Sequence, residues 1–191
     1  MRQVFLDTET TGLSADNGDR LIEIGCVEMV HRKLTGNNLH IYVNPGRDSH
    51  EEALKVHGLT SEFLSDKPKF SEIAQEMLDY LKDAHVVIHN APFDLGFLNN
   101  ELALSGLKTV LDYSARVTDT LVMAKARFPG MPNSLDALCR RCRCSPCCWP
   151  HSPQARRSLR RTRWRCRSRR CRCPRRTWKA SRRRVPKRRR A

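Results

Sequence analysis

Asp7 and Glu9 stand one residue apart, directly after the apolar triplet Val4-Phe5-Leu6. Side chains two apart on a strand point to the same face, so a short buried strand over Gln3–Thr8 aims both carboxylates at one point. A third carboxylate, Asp94, follows a second apolar run, Val86-Val87-Ile88, after a short loop and at the start of a helix. Central strands ending side by side would bring the three together. Hard oxygen donors of this kind suit Mg²⁺ or Mn²⁺. Two such ions roughly 4 Å apart can activate a water and stabilise a leaving 3′-oxygen in phosphodiester hydrolysis. An isolated D-x-E also arises at caps and surface turns. Here Thr8, Thr10, Thr11 and Gly12 surround the pair and supply small polar groups suited to a neighbouring phosphate.

The elements that must position these groups read as follows. Arg20–Val30 alternates as a strand, with Ile22, Ile24 and Cys26 on one face. Gly36-Asn37-Asn38 turns the chain into a third strand, Leu39–Val43, so strands one to three are expected as antiparallel neighbours. Thr60 can cap a short helix through Glu62, Phe63 and Leu64. Phe70–Lys82 carries a 3.6-residue apolar stripe at Phe70, Ile73, Ala74, Met77, Leu78 and Leu81. Ala84–His89 is a buried strand, and Pro92 suits the first turn of a helix through Phe97, Leu98 and Leu102. A fifth strand is expected within Val110–Val117. Asp119 can cap a helix over Thr120–Phe128 that Pro129-Gly130 ends, and Ser134 can cap one more beginning at Leu135. Three hairpin strands followed by alternating helix and strand give an α/β class with a mixed five-stranded sheet flanked by helices.

Charge divides the chain at one point. Residues 1–139 hold 13 basic and all 20 acidic residues, a net −7, whereas residues 140–191 hold 23 basic residues and no acid. The total of +16 describes neither part. Seven of the nine cysteines also fall after residue 139, leaving Cys26 and Cys139 as isolated thiols, without a disulfide framework, in a domain suited to a reducing cytoplasm. The first carboxylate arrives after only three apolar residues, so no signal peptide is expected, and no apolar run is long enough to span a bilayer. Residues 140–191 lack Asp, Glu, Ile, Phe, Tyr, Met and Gly, and Leu159 and Val185 are their only aliphatic residues larger than alanine. Such a segment cannot offset the entropy of ordering and is expected to be disordered in isolation. The expected organisation is a domain over 1–139, incomplete at its C-terminal side, and a basic tail over 140–191.

Several stretches together resemble the DEDD superfamily of 3′–5′ exonucleases. Val4-Phe5-Leu6-Asp7-Thr8-Glu9-Thr10-Thr11-Gly12-Leu13 is similar to its first motif, and His89-Asn90-Ala91-Pro92-Phe93-Asp94-Leu95-Gly96-Phe97-Leu98 to its second. Leu34-Thr35-Gly36-Asn37-Asn38, Val56-His57-Gly58-Leu59-Thr60 and Phe128-Pro129-Gly130 with Asn133–Cys139 resemble the proofreading epsilon subunits of DNA polymerase III. The resemblance covers Arg2 to Cys139. It implies a ribonuclease H-like fold and two Mg²⁺ or Mn²⁺ ions, with Asp7 bridging both, Glu9 on one and Asp94 acting mainly through water. It also implies that Glu52 and His57 contact the terminal nucleotide of a DNA 3′ end. The implied partners are the polymerase III catalytic subunit and its accessory subunits, and the implied location is cytoplasmic. His89 reads as structural, and Cys26 and Cys139 as core or boundary residues.

The family's third motif, a histidine base and an aspartate five residues later, is absent: no carboxylate side chain follows Asp136, and His151 stands between Pro150 and Pro153. Crowded Arg, Cys, Pro, Ser and Trp are what a GC-rich gene yields out of frame, so a frameshift near codon 140 is one expectation. A basic arm gripping phosphates is another. Zinc on Cys142, Cys144, Cys147, Cys148 and His151 is a third, against which irregular spacing and dense arginine weigh. Three functions stay open on the residues: DNA exonuclease, RNA-trimming exonuclease, and an inactive product that binds nucleic acid through its tail.

Overall fold

The computed structural model of the protein describes residues 1–141. The expectations for the basic tail, His151 and the clustered cysteines lie outside the described residues.

Nine residues, Arg2–Thr10, form β1, the strand on which the rest is built. Its burial alternates, with Val4, Leu6, Thr8 and Thr10 inward and Asp7 and Glu9 on the opposite face. β1 pairs antiparallel with β2 (Leu21–Val30), and β2 pairs antiparallel with both β3 (Lys33–Leu34) and β4 (Leu39–Tyr42). On its other side β1 pairs parallel with β5 (His85–Ile88), which pairs parallel with β6 (Arg116–Asp119). The sheet is mixed, as the pattern predicts, but has six strands in the order β3-β2-β1-β5-β6, with β4 on β2.

The sixth strand is the two-residue β3. Val30 pairs with Lys33, and the residues between, His31 and Arg32, have φ of 50° and 63°. That is the left-handed geometry of a two-residue hairpin turn, achieved without glycine. The chain therefore turns once before the expected Gly36-Asn37-Asn38 bend.

Helices α1 (Glu51–His57), α2 (Ser61–Leu64) and α3 (Phe70–Leu81) come between β4 and β5. Helices α4 (Ala91–Leu104) and α5 (Val110–Tyr113) precede β6, and α6 (Thr120–Arg127) and α7 (Leu135–Arg141) follow it. The α3 stripe is buried at all six expected positions. With Phe97, Leu98 and Leu102 of α4 it joins Val4, Leu6, Ile24, Cys26, Val86 and Ile88 in one core. Thr60 caps α2 by accepting from the Phe63 N–H (3.2 Å), and Asp119 caps α6 by accepting from Leu121 (2.7 Å) and Val122 (3.3 Å).

The strand expected within Val110–Val117 is displaced. Thr109 donates its N–H (2.9 Å) and hydroxyl (2.7 Å) to Asp112, a local box that winds 110–113 into a helical turn. Extended structure resumes only at Arg116. Helix α1 has no counterpart in the sequence reading. His50 precedes it without a side-chain cap, and His57 is its one buried residue, so neither a capping side chain nor an apolar stripe marks it, only Glu51 and Glu52 in its first turn and Gly58 past its end.

Candidate active site

The outward face of β1 carries the acidic groups. Across the β1–β2 ladder Glu9 stands opposite Glu23, and Asp7 opposite Gly25. One residue later the register slips, Thr10 pairing with Leu21, so Ile22 is an extra residue in β2. Bulges of this kind re-aim neighbouring side chains, and they recur beside active sites. Directly opposed like charges are unfavourable, so the Glu9–Glu23 pair is not there for stability. Glu23 meets His40 of β4 at 2.5 Å (Oε1 to Nε2).

Asp94 enters from the first turn of α4. Only 3 % exposed, it accepts a 2.8 Å hydrogen bond from the Thr8 hydroxyl, which points to the inner side of β1. The three carboxylates singled out in the sequence form one electrostatic unit. Burial pushes Glu9 up to about 7, with Asp7, Glu23 and Asp94 adding repulsion. Burial likewise pushes Asp94 to about 7, against the Thr8 hydrogen bond and with help from Asp7. Asp7 is also raised by burial, with its neighbour Glu23 contributing and His89 opposing. A cluster of buried and half-buried oxygen donors that holds on to protons in this way is chemically matched to hard divalent cations, whose charge relieves the repulsion. Among the described residues no three His, Cys, Asp or Glu side chains already stand as a closed ligand group. The fit is therefore one of donor chemistry and electrostatics.

The threonines differ from expectation. Thr8, Thr10 and Thr11 are all buried, and their hydroxyls are spent inside the protein. Thr8 holds Asp94, Thr10 donates to the Gly12 carbonyl (2.6 Å), and Thr11 faces Asp19 (3.4 Å). Thr10 and Thr11 shape the turn after β1, and Thr8 fixes Asp94, instead of facing a phosphate.

Glu52 and His57 both lie on α1, Glu52 exposed and His57 buried. His57 Nδ1 accepts from the Leu59 N–H at 2.9 Å, which places the proton of the neutral ring on Nε2. That Nε2 is buried and has no protein partner. Burial lowers the His57 pKa, with Glu23 opposing, so the ring is a neutral donor. His89 lies 3.0 Å (Nδ1) from the Thr120 hydroxyl, which itself donates to the Ile88 carbonyl at 3.2 Å. Cys26 is buried, its thiol pushed up to about 12 by burial, and Cys139 is exposed.

Glu23 is the acidic neighbour that the sequence reading missed. In sequence it is one polar residue of an alternating strand, and only the ladder register reveals that it faces Glu9.

Comparison with known proteins gives a consistent picture. A family model described as RNase_T, exonuclease, matches residues 4–147. The DNA polymerase III subunit epsilon of Pasteurella multocida (strain Pm70) is 52 % identical over 144 residues, covering 73 % of this chain and 57 % of that protein. The subunit epsilon of Escherichia coli (strain K12) is 50 % identical over 147 residues, covering 73 % of this chain and 60 % of its own. The chain thus spans about three fifths of the length of the curated relatives it matches. Among solved structures, exonuclease X in complex with 5′ overhanging duplex DNA aligns with a TM-score of 0.57 at 24 % identity, covering 75 % of this chain and 74 % of that one. The metal-free E. coli ExoI–ssDNA complex aligns with a TM-score of 0.63 at 17 % identity, covering 73 % of this chain and 34 % of its own. These two likenesses show the shared exonuclease fold.

Proposed function

The chain belongs to the RNase_T exonuclease family, and from that premise we propose that its fold is built for 3′–5′ removal of nucleotides from a DNA primer end, the proofreading task of a replicative polymerase subunit. The observation that carries this reading is the placement of Asp7 and Glu9 on one face of the central strand beside Asp94, which the intervening Thr8 holds at 2.8 Å, with burial raising all three carboxyls. In this reading Asp7, Glu9 and Asp94 hold two Mg²⁺ or Mn²⁺ ions. When bound, such ions supply an activated water and stabilise the leaving oxygen. Asp7 and Glu9 reach the site from the outer face of β1. Thr8 fixes the Asp94 carboxylate from the inner side. In this reading the terminal nucleotide lies against α1, meeting the exposed Glu52 and, once the helix shifts to uncover it, the unpartnered Nε2–H of His57.

Nothing in residues 140–191 supplies the family's fourth carboxylate, and the base histidine has no counterpart apart from His151. Loss of general base catalysis alone costs about 10²–10⁴-fold in rate. Turnover by this chain is therefore expected to be at least that far below an intact relative's. The net +23 of the last 52 residues favours a second reading, a product that retains the fold and grips nucleic acid through phosphate contacts with steep salt dependence.

The test is digestion of a 5′-labelled DNA oligonucleotide with a mispaired 3′ end by the purified full chain in Mn²⁺, beside an RNA of matched sequence and an Asp7→Ala control. Slow DNA shortening from the 3′ end that the control abolishes supports the exonuclease. RNA shortened in preference to DNA moves the substrate class. Binding without any Asp7-dependent cutting leaves only the second reading. Sequencing codons 130–191 tests the frame: a one- or two-base change restoring a histidine and an aspartate five residues apart would account for the tail, and an intact frame would exclude that origin.

A further inference from the structure

Glu52 and His57 ride on a helix that is poorly anchored by its own packing. Of the seven residues in α1 only His57 is buried, and the helix start has no side-chain cap. What ties the start of α1 to the body is polar. The His50 N–H donates to the Thr11 carbonyl at 2.8 Å, and His50 Nε2 lies 3.0 Å from Asp19 Oδ1. The Asp19 carboxylate, 5 % exposed, also meets Arg47 Nη1 at 3.4 Å and the Thr11 hydroxyl at 3.4 Å, and accepts from the Ser14 N–H at 3.2 Å. Arg47 in turn donates to the Gly18 carbonyl. One side chain thus gathers the turn after β1, the approach to β2 and the start of α1.

Gly12 leaves the room for this. A Cβ there would lie 2.2 Å from Asp19 Oδ2 and 2.5 Å from the His50 ring. The turn closes onto the carboxylate only because that position has no side chain. Thr11 is two residues beyond Glu9, and His50 two residues before Glu52.

We propose that Asp19 and His50 form a polar latch that positions α1, and with it Glu52 and His57, against the carboxylate end of β1. They are positioning residues, touching neither ion nor nucleotide. The inference rests on Glu52 and His57 being the nucleotide contacts. Hydrogen bonds to a charged group contribute more than neutral ones, so opening the latch should loosen both segments that it joins.

The test uses the full chain with two readouts: amide exchange by mass spectrometry over residues 11–14 and 50–57, and binding of thymidine 5′-monophosphate in Mn²⁺. Asp19→Asn should speed exchange in both segments and weaken nucleotide binding, each by about tenfold. His50→Ala, at a side chain 60 % exposed, gives the same reading should Asp19→Asn fold poorly. Glu28→Gln, which breaks the Arg2–Glu28 pair (2.6 Å) at the far end of β1, should change neither. Unchanged exchange over 50–57 in both single variants, or faster exchange with unchanged nucleotide affinity, overturns the latch. Should the unaltered chain bind no thymidine monophosphate, the assignment of Glu52 and His57 fails, and exchange still decides whether the latch exists.

Discussion

Replacing Asp94 with asparagine should stabilise the protein in chelator at pH 8, although it removes a central acid of the site. Burial is the main cause that lifts this carboxyl from an ordinary 3.8 to about 7, with Asp7 nearby. A folded-state pKa above the unfolded one means that the folded chain binds the extra proton. Stability is then complete below about pH 4 and falls as pH rises through about 7. At about 1.4 kcal/mol per unit, a rise of roughly three units costs on the order of 4 kcal/mol once the group is ionised at pH 8. Near pH 5 the folded carboxyl is still protonated, and the cost is on the order of 2 kcal/mol. Asparagine carries no such charge, and its amide oxygen can still accept from Thr8. The difference in stability between Asp94→Asn and the unaltered chain should therefore shift in favour of the variant by about 2–3 kcal/mol between pH 5 and pH 8. All three tryptophans lie beyond residue 141, so urea titration followed by far-UV circular dichroism, in EDTA, is the suitable assay. A difference that is the same at both pH values would refute the electrostatic account of the site.

The same repulsion should make the domain's stability responsive to cations. Mn²⁺ at about 100 times its dissociation constant should add about 2.7 kcal/mol at pH 8, and clearly less at pH 5, where protons hold the same oxygens; thermal melts with and without EDTA read this out. Glu101→Gln tests the buried support at the start of β2. Glu101, 2 % exposed, takes two hydrogen bonds from Arg20 (2.6 and 2.8 Å) and one from the Leu21 N–H (3.3 Å). Its neutralisation should cost about 1.5–3 kcal/mol, and a urea midpoint that does not move would contradict the role given to that pair.

How much of this was legible in the sequence depends on the length of each signal. Asp7 and Glu9 were found because a period-2 strand fixes where side chains point, and β1 obeys that rule over its whole length. The α3 stripe was equally clear, six apolar residues at helical spacing. Where a few local bonds decide, the pattern misled. Val110, Tyr113 and Val117 suit a strand, yet the Thr109–Asp112 box diverts the first of them into a turn. Helix α1 left only short local marks, Glu51 and Glu52 in its first turn and Gly58 past its end, while its tie to the body, Asp19 to His50, spans 31 residues of sequence. Glu23 escaped for a related reason: facing Glu9 is a property of register, and the bulge at Ile22 that ends the register just beyond that pair cannot be read from either strand alone.

The parallel pairing of β1 with β5 joins Gln3 to His85, so β1 can complete its ladder only when most of the domain has been synthesised. At about 5–20 residues per second, the roughly 55 residues between the end of β2 and β5 leave one side of β1 unpaired on the ribosome for about 3–11 s. During that interval the hairpin of β1 and β2 presents an open strand edge bearing Val4, Phe5 and Leu6, a template for pairing with another chain. The acidic residues at its end have a further consequence. Repelling one another within a chain, they also repel their copies in a second one, and so discourage in-register association of nascent hairpins until β5 arrives.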